Sequence, residues 1–352
     1  MTYLHRQASP MKANPLRTLA TLATLLAAVT LPATGQVLPG PDGPVEFIGL
    51  DQWSASELFE AIQDVAPGQP FHACAAVMKQ ELGFAEAAAF VYRTPGDSYT
   101  VVVGVEDSAR VRYRAVGAET VALPETWEAL RVLATDSRNL RSLDEAARTI
   151  RSRRGFFDRI MTRLLFGRMG VDRETLRQIR ELVDNATAEE DRRLAQEVLA
   201  RDSSAASRAV ATLVLGNFLE HDTSWHALAG SLIDPEPRVV RMASNVVRGL
   251  ETGTLEPVDW SAARSHLLAL FDGTNPFATG DILEVLVATD IAPEFGRQLV
   301  RETPDLLLAH AGAEHERTRE PAIAFLRAVS GEDFGTDVEA WRAWAGGQPE
   351  EP

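Results

Sequence analysis

From about residue 140 to residue 346 the sequence repeats one kind of unit: a short amphipathic helix, then a brief connection rich in Gly, Pro, Asp or Thr. Apolar stripes recur at helical spacing: Phe157, Ile160, Met161, Leu164 and Leu165, then Leu176, Ile179 and Val183, then Leu194 and Val198. Further helices are predicted at about 205–219, 224–233, 237–250, 260–271, 280–289, 293–310 and 318–329. Ser142-x-x-Glu145 and Thr187-x-x-Glu190 read as capping boxes, in which side chains satisfy the free N–H groups of a helix start. No helix is long enough to act as a central post. Short helices in pairs bury their stripes on neighbouring pairs, which predicts stacking rather than a four-helix bundle.

One segment carries more than periodicity. SLIDPEPRVVRMASNVVRGL holds Asp234-Pro235-Glu236-Pro237, followed by Val239, Ala243, Val246 and Leu250. The prolines have no N–H with which to continue a preceding helix, and Pro237 is tolerated in the first turn of the next one. This segment resembles a HEAT repeat, an armadillo-like helical unit with a D-P turn and a small residue at the helix crossing. Segments 205–219, 280–291 and 320–331 would be related second helices. Their starts, with 236 for the clear unit, are 31, 44 and 40 residues apart, across the range of such repeats. The tail GEDFGTDVEAWRAWAGG resembles the closing element of exported bacterial HEAT-repeat proteins. Trp341 and Trp344 share a helix face there and would cover the last unit. The resemblance implies an α-solenoid over 171–346, with 347–352 as a tail.

Ahead of the array the signals differ. After a Pro/Gly-rich linker at 36–44, a module over 45–135 predicts α+β structure. VEFIGL reads as a short strand. Ser54-x-x-Glu57 caps a helix with the stripe Leu58, Phe59, Ile62, Val65 and Ala66. Pro70 opens a second helix that Gly83 closes. Residues 87–93 and 99–105 read as strands around the turn 94–97, and 110–116 alternates as a third strand: Val111, Tyr113 and Ala115 on one face, Arg110, Arg112 and Arg114 on the other. The expectation is an antiparallel sheet with two helices on one face and water on the other. Residues 136–170 connect the two parts as basic amphipathic helices. There Arg148, Arg151, Arg153, Arg154, Arg159, Arg163 and Arg168 interleave with Phe156, Phe157 and Phe166.

Residues 1–35 carry three bases, no acid, an apolar run from Leu19 to Leu31 and then small residues, which is the pattern of a secretory signal peptide. The run of about 13 residues is short against the ~20 of a membrane span. The expected protein is therefore exported, periplasmic or secreted, with Met11 as a second possible start. Its one cysteine, Cys74, excludes an intrachain disulfide. Cys74 shares a helix face with Phe71 and Met78 and is expected to be a buried inert thiol, while His72 points elsewhere.

Lys and Arg number 35 against 50 Asp and Glu, a net charge of −15, which argues against a general nucleic-acid binder. Residues 171–352 alone hold 32 acids and 17 bases. No catalytic, cofactor or metal residues are assigned. His221/His226 and His310/His315 are five apart and do not share a helix face, and His315-Glu316 lacks the second His of H-E-x-x-H because Arg319 stands there. The expected function is a non-enzymatic scaffold that binds a protein partner, one with a basic patch if the acidic array meets it. The candidate contacts are Glu236, Arg238, Arg241 and Arg248 on the clear repeat and the Arg110/Arg112/Arg114 row. Two alternatives stand beside it. One is an envelope hydrolase or lyase with a site between module and array, built on His72, Cys74 or His266 beside carboxylates. The other is a peripheral membrane protein that binds through 148–168.

Overall fold

A computed structural model describes residues 35–94, 97–150, 171–250 and 255–347. The expected signal peptide, most of the basic segment 148–168 and the tail beyond Gly347 lie outside the described residues, as does the side chain of His72.

The N-terminal side is a four-stranded sheet of order β1-β2-β4-β3, made by β1 (Gln36–Gly40), β2 (Gly43–Ile48), β3 (Glu86–Thr94) and β4 (Asp97–Val105). It is mixed rather than antiparallel. β2 and β4 run parallel in the register Phe47↔Val102, and the other pairs are antiparallel. The expected linker 36–44 is in fact β1 and its hairpin turn into β2. Between β2 and β3 the chain crosses over through α1 (Ala55–Val65) and α2 (Cys74–Gln80). Ser54 and Glu57 form the predicted capping box at the start of α1. The Glu106 carboxylate gathers the N–H groups of Asp51 and Gln52 at 2.9 Å each and of Trp53 at 3.2 Å, which sets the approach to that helix.

Alternation along the strands gives the sheet two apolar faces. Val45, Phe47, Ala87 and Val102 pack with Leu58, Ile62, Phe71, Cys74 and Met78 of the crossover. On the other face Ile48, Ala88, Val101 and Val103 pack against Leu306 and Ala313 from the far end of the chain. The expected wet face is thus covered. Glu46, fully buried on that face, accepts hydrogen bonds from the N–H groups of Glu314 (2.5 Å) and His315 (3.1 Å) and from the Tyr99 hydroxyl (3.1 Å). Desolvation raises its pKa, against those three hydrogen bonds.

The arginine row is not a strand. After a short 3₁₀ turn (Ser108–Arg110) the chain runs extended without a sheet neighbour, as a strap along the helices. Arg114 N–H donates to Ile233 O (3.0 Å), Arg112 N–H to Thr274 Oγ1 (2.9 Å) and Glu119 N–H to Arg201 O (2.9 Å). Gly117 permits this course, since a Cβ there would meet Arg201 O at 2.0 Å. The Arg/Val alternation predicts an extended chain, but the partners of that chain are helix ends.

Helices then follow: α3 (Glu125–Thr135), α4 (Leu140–Thr149), α5 (Arg173–Asp184), α6 (Glu189–Arg201), α7 (Ala205–Leu215), α8 (Asp222–Leu232), α9 (Pro237–Arg248), α10 (Arg264–Asp272), α11 (Thr279–Ala288), α12 (Pro293–Glu302), α13 (Asp305–Ala311), α14 (Glu316–Ser330) and α15 (Val338–Gly346). Ser142 lies inside α4 instead of capping it, and Ala188, one residue after the predicted Thr187, is the N-cap of α6. The single helix predicted over 293–310 breaks into α12 and α13 at Thr303-Pro304. Along the array α7 touches α9, α9 touches α11, and α11 touches α14; α6, α8, α10 and α12 form a second contacting series. One continuous apolar core runs from Trp127 to Trp341. Trp341 is fully buried, edge-on to Phe334 and Trp344, and α15 closes over α12 and α13.

Candidate functional site

The outer face of α9 meets the sheet module across a cleft of about 660 Å³. The helix's inner face, Val239, Ala243 and Val246, is buried in the array. Helical spacing therefore turns Pro237, Val240, Arg241, Ser244 and Arg248 outward, and all of them line the cleft. The opposite wall comes from α2 (Ala75, Ala76, Lys79) and the start of β3 (Glu86, Ala87). Tyr113 of the strap, Arg148 at the end of α4, and Thr274, Asn275 and Phe277 complete it.

Its polar groups form two linked sets. On the array side the Arg241 guanidinium grips Asp144, with Nε 2.9 Å from both carboxylate oxygens; Asn245 Nδ2 donates to the same carboxylate (2.8 Å), and Arg148 Nε donates to Asn245 Oδ1 (2.8 Å). Arg248 pairs with Asp281 at 2.6 Å and also donates to Phe277 O. Burial pushes the Asp281 carboxyl up, and the charge of Arg248 opposes that shift. On the module side Lys79 Nζ lies 2.7 Å from Glu86 Oε2, while the Tyr113 hydroxyl donates to Oε1. Desolvation, with Glu86 beside it, drives the Tyr113 phenol above its ordinary range.

Asp234 also borders the cleft, though its carboxylate is fully buried. Arg208, itself 1% exposed, meets it through Nε and Nη2 at 3.0 Å each, and Arg114 adds contacts at 2.5 and 3.0 Å. Burial acts to raise this carboxyl, but the Arg208 and Glu236 N–H hydrogen bonds and the two positive charges win, and its pKa is lowered.

The structure brings Arg241 and Arg248 together in the cleft and disperses the other candidates. Glu236 is the exposed N-cap of α9. Arg238 donates to Ala134 O at 2.7 Å. Arg110 reaches Asp51 and Asp272 O, Arg112 reaches Asp272, and Arg114 is committed to Asp234 and Leu199 O. The row is therefore a set of intrachain anchors between strap and array. Lys79, Glu86, Tyr113 and Asn245 were not identifiable as site residues from the sequence, because each sits on a different element; Lys79 carried a signal only as the single lysine after residue 12, and Arg148 only as the first residue of the basic segment 148–168.

Cys74 is buried, and desolvation pushes its thiol up to about 12. His266 packs against Gly230, and burial lowers its pKa. Neither lines the cleft. Among the described residues no group of three or more His, Cys, Asp or Glu is placed to hold a metal ion, and no helix is long and apolar enough to cross a membrane. No family model, curated protein or solved structure matches the chain.

Proposed function

We propose that this is an exported, non-enzymatic interaction protein whose HEAT-like helical array presents α9 to an acidic segment of a partner protein. One observation carries the reading: four cations from three elements, Lys79 of α2, Arg148 of α4, and Arg241 and Arg248 of α9, converge on a single cleft. Counted with the groups they touch and the buried floor, the site holds six cations (with Arg114 and Arg208) and four carboxylates (Glu86, Asp144, Asp234 and Asp281), in a chain whose net charge is −15. Half-exposed guanidiniums already held by one carboxylate keep further N–H donors for a second, and their planar geometry suits bidentate recognition. The acidic remainder would repel an acidic segment elsewhere and leave the cleft as its favoured landing place. The solenoid reading draws support from the two contacting series of helices, in which the predicted second helices at 205–219, 237–250, 280–291 and 320–331 follow one another.

The test compares proteins captured from the native envelope by the wild-type chain and by the Arg241→Glu/Arg248→Glu double variant. The expected result is a partner that binds the wild type, elutes with rising salt and is absent from the variant. An identical set of salt-insensitive captures on both would overturn the proposal.

A further inference from the structure

Beyond the ridge made by Arg248 and Phe277 lies a second cavity of about 560 Å³, within the size range of small-ligand sites. Its chemistry is the reverse of the cleft's. His310 of α13 lines it at 2% exposure, and one ring nitrogen is hydrogen-bonded to the Thr318 backbone while Nε2 has no partner. Burial keeps the imidazole neutral, with its pKa lowered to about 4. With the Thr318 carbonyl taking the Nδ1 proton, Nε2 is a bare lone pair. A buried acceptor without a donor is costly and rare, so the atom is matched to a guest that brings an N–H.

Other acceptors converge on the same space. Pro321 sits inside α14 and has no N–H, so the Arg317 carbonyl four residues earlier lacks its helical donor; both residues line the cavity. Glu284, Glu316 and Glu320 line it too, and among the described residues Glu284 and Glu316 enter no ion pair. Of the two lining guanidiniums, Arg248 is taken by Asp281 and Arg317 is exposed to solvent, so two cations stand against the four lining carboxylates Asp281, Glu284, Glu316 and Glu320. Apolar walls come from Phe90 and Phe277, edge-on at 5.5 Å, and from Tyr92. At Gly280 an added Cβ would come no nearer to any other side chain than 3.9 Å from Pro321, so the space is open there.

The geometry points to a site for an organic ammonium ion, which donates its N–H groups to His310 Nε2 and to the Glu284 and Glu316 carboxylates and lays its carbon chain along Phe90, Tyr92 and Phe277. Aromatic faces beside carboxylates favour such a cation over a neutral chain of equal length. The site shares Arg248 and Phe277 with the cleft but does not depend on the protein-binding reading.

Calorimetric titration of the full chain tests it with three probes: 1,5-diaminopentane, N-acetyl-lysine amide and N-acetyl-norleucine amide. Both ammonium compounds are expected to bind with Kd at or below about 1 mM, and the norleucine compound, which lacks the charge, is not. Binding of the diamine alone assigns the site to free amines; binding of the lysine amide assigns it to a lysine side chain as well. The Glu284→Gln/Glu316→Gln variant alters two exposed side chains, so its fold is preserved, and it should bind about ten-fold more weakly. His310→Leu removes the buried acceptor and should abolish binding, with circular dichroism verifying its fold. Absence of binding by both amines, equal binding of the norleucine amide, or unchanged affinity in the double glutamine variant each overturns the assignment.

Discussion

Arg208 and Arg114 at Asp234 make the same kind of contact as Arg241 and Arg248 at the cleft, yet they serve different ends. The side chains of the first pair are 1% and 11% exposed around a carboxylate that water cannot reach. Those of the second are 55% and 39% exposed, and each has donors left over. The difference is burial. In the interior, an unpartnered charge costs far more than its pair gains, so the contact locks the D-P turn, the strap and α7 into one arrangement. At the cleft rim, solvent reaches the guanidiniums although Asp144 beneath Arg241 is buried, so each pair is screened from the arginine side and the guanidiniums keep donors for a second partner.

The largest test of that contrast is Asp234→Ala. It strands two arginines in the interior and should destabilise the fold by about 3–5 kcal/mol in chemical denaturation; a loss below 1 kcal/mol would erase the distinction. A second test concerns another buried ionisable group. The His310 pKa lies at about 4 in the folded chain against 6.5 for the free side chain. The unfolded state thus binds the proton first, and stability present above pH 6.5 is lost as pH falls toward 4, by about 3 kcal/mol. Wild type should lose stability relative to His310→Leu as pH falls through that window, and curves that stay parallel would contradict it. Arg114→Ala removes one of the two arginines on Asp234 and leaves Arg208 and the Glu236 N–H in place, so it should cost about 1.5–3 kcal/mol, distinctly less than Asp234→Ala. Arg241→Ala leaves the buried Asp144 carboxylate with the Asn245 amide as donor and should cost about 1 kcal/mol, while weakening partner capture. If instead it unfolds the protein and Arg114→Ala does not, the roles are reversed.

The sequence held much of the local structure. The capping box at Ser54, the break at Pro237, the stripes of α5 and α9 and the tryptophan pair of α15 all follow from spacing and cap chemistry. What it concealed depends on distant partners. The continuous apolar run of β4 (Val101, Val102, Val103) was the available sign that both sheet faces are covered, since a half-wet strand would alternate. Nothing near Arg110, Arg112 or Arg114 marks their carboxylates, which lie 59 or more residues away. The cleft was legible only in part. Arg241 and Arg248 follow from one helix face, but Lys79 and Tyr113 join them through tertiary packing, which periodicity does not encode.

The Glu46 contact with Glu314 and His315 sets a constraint on how the chain is made. The strand that bears Glu46 leaves the ribosome some 268 residues before its partner. Until α13 is synthesised, Ile48, Val101 and Val103 have no cover, so the sheet can be finished only after nearly the whole polypeptide exists. A chain truncated before residue 305 would keep that apolar surface exposed, and its failure would show as aggregation during production rather than as a weakened but soluble product.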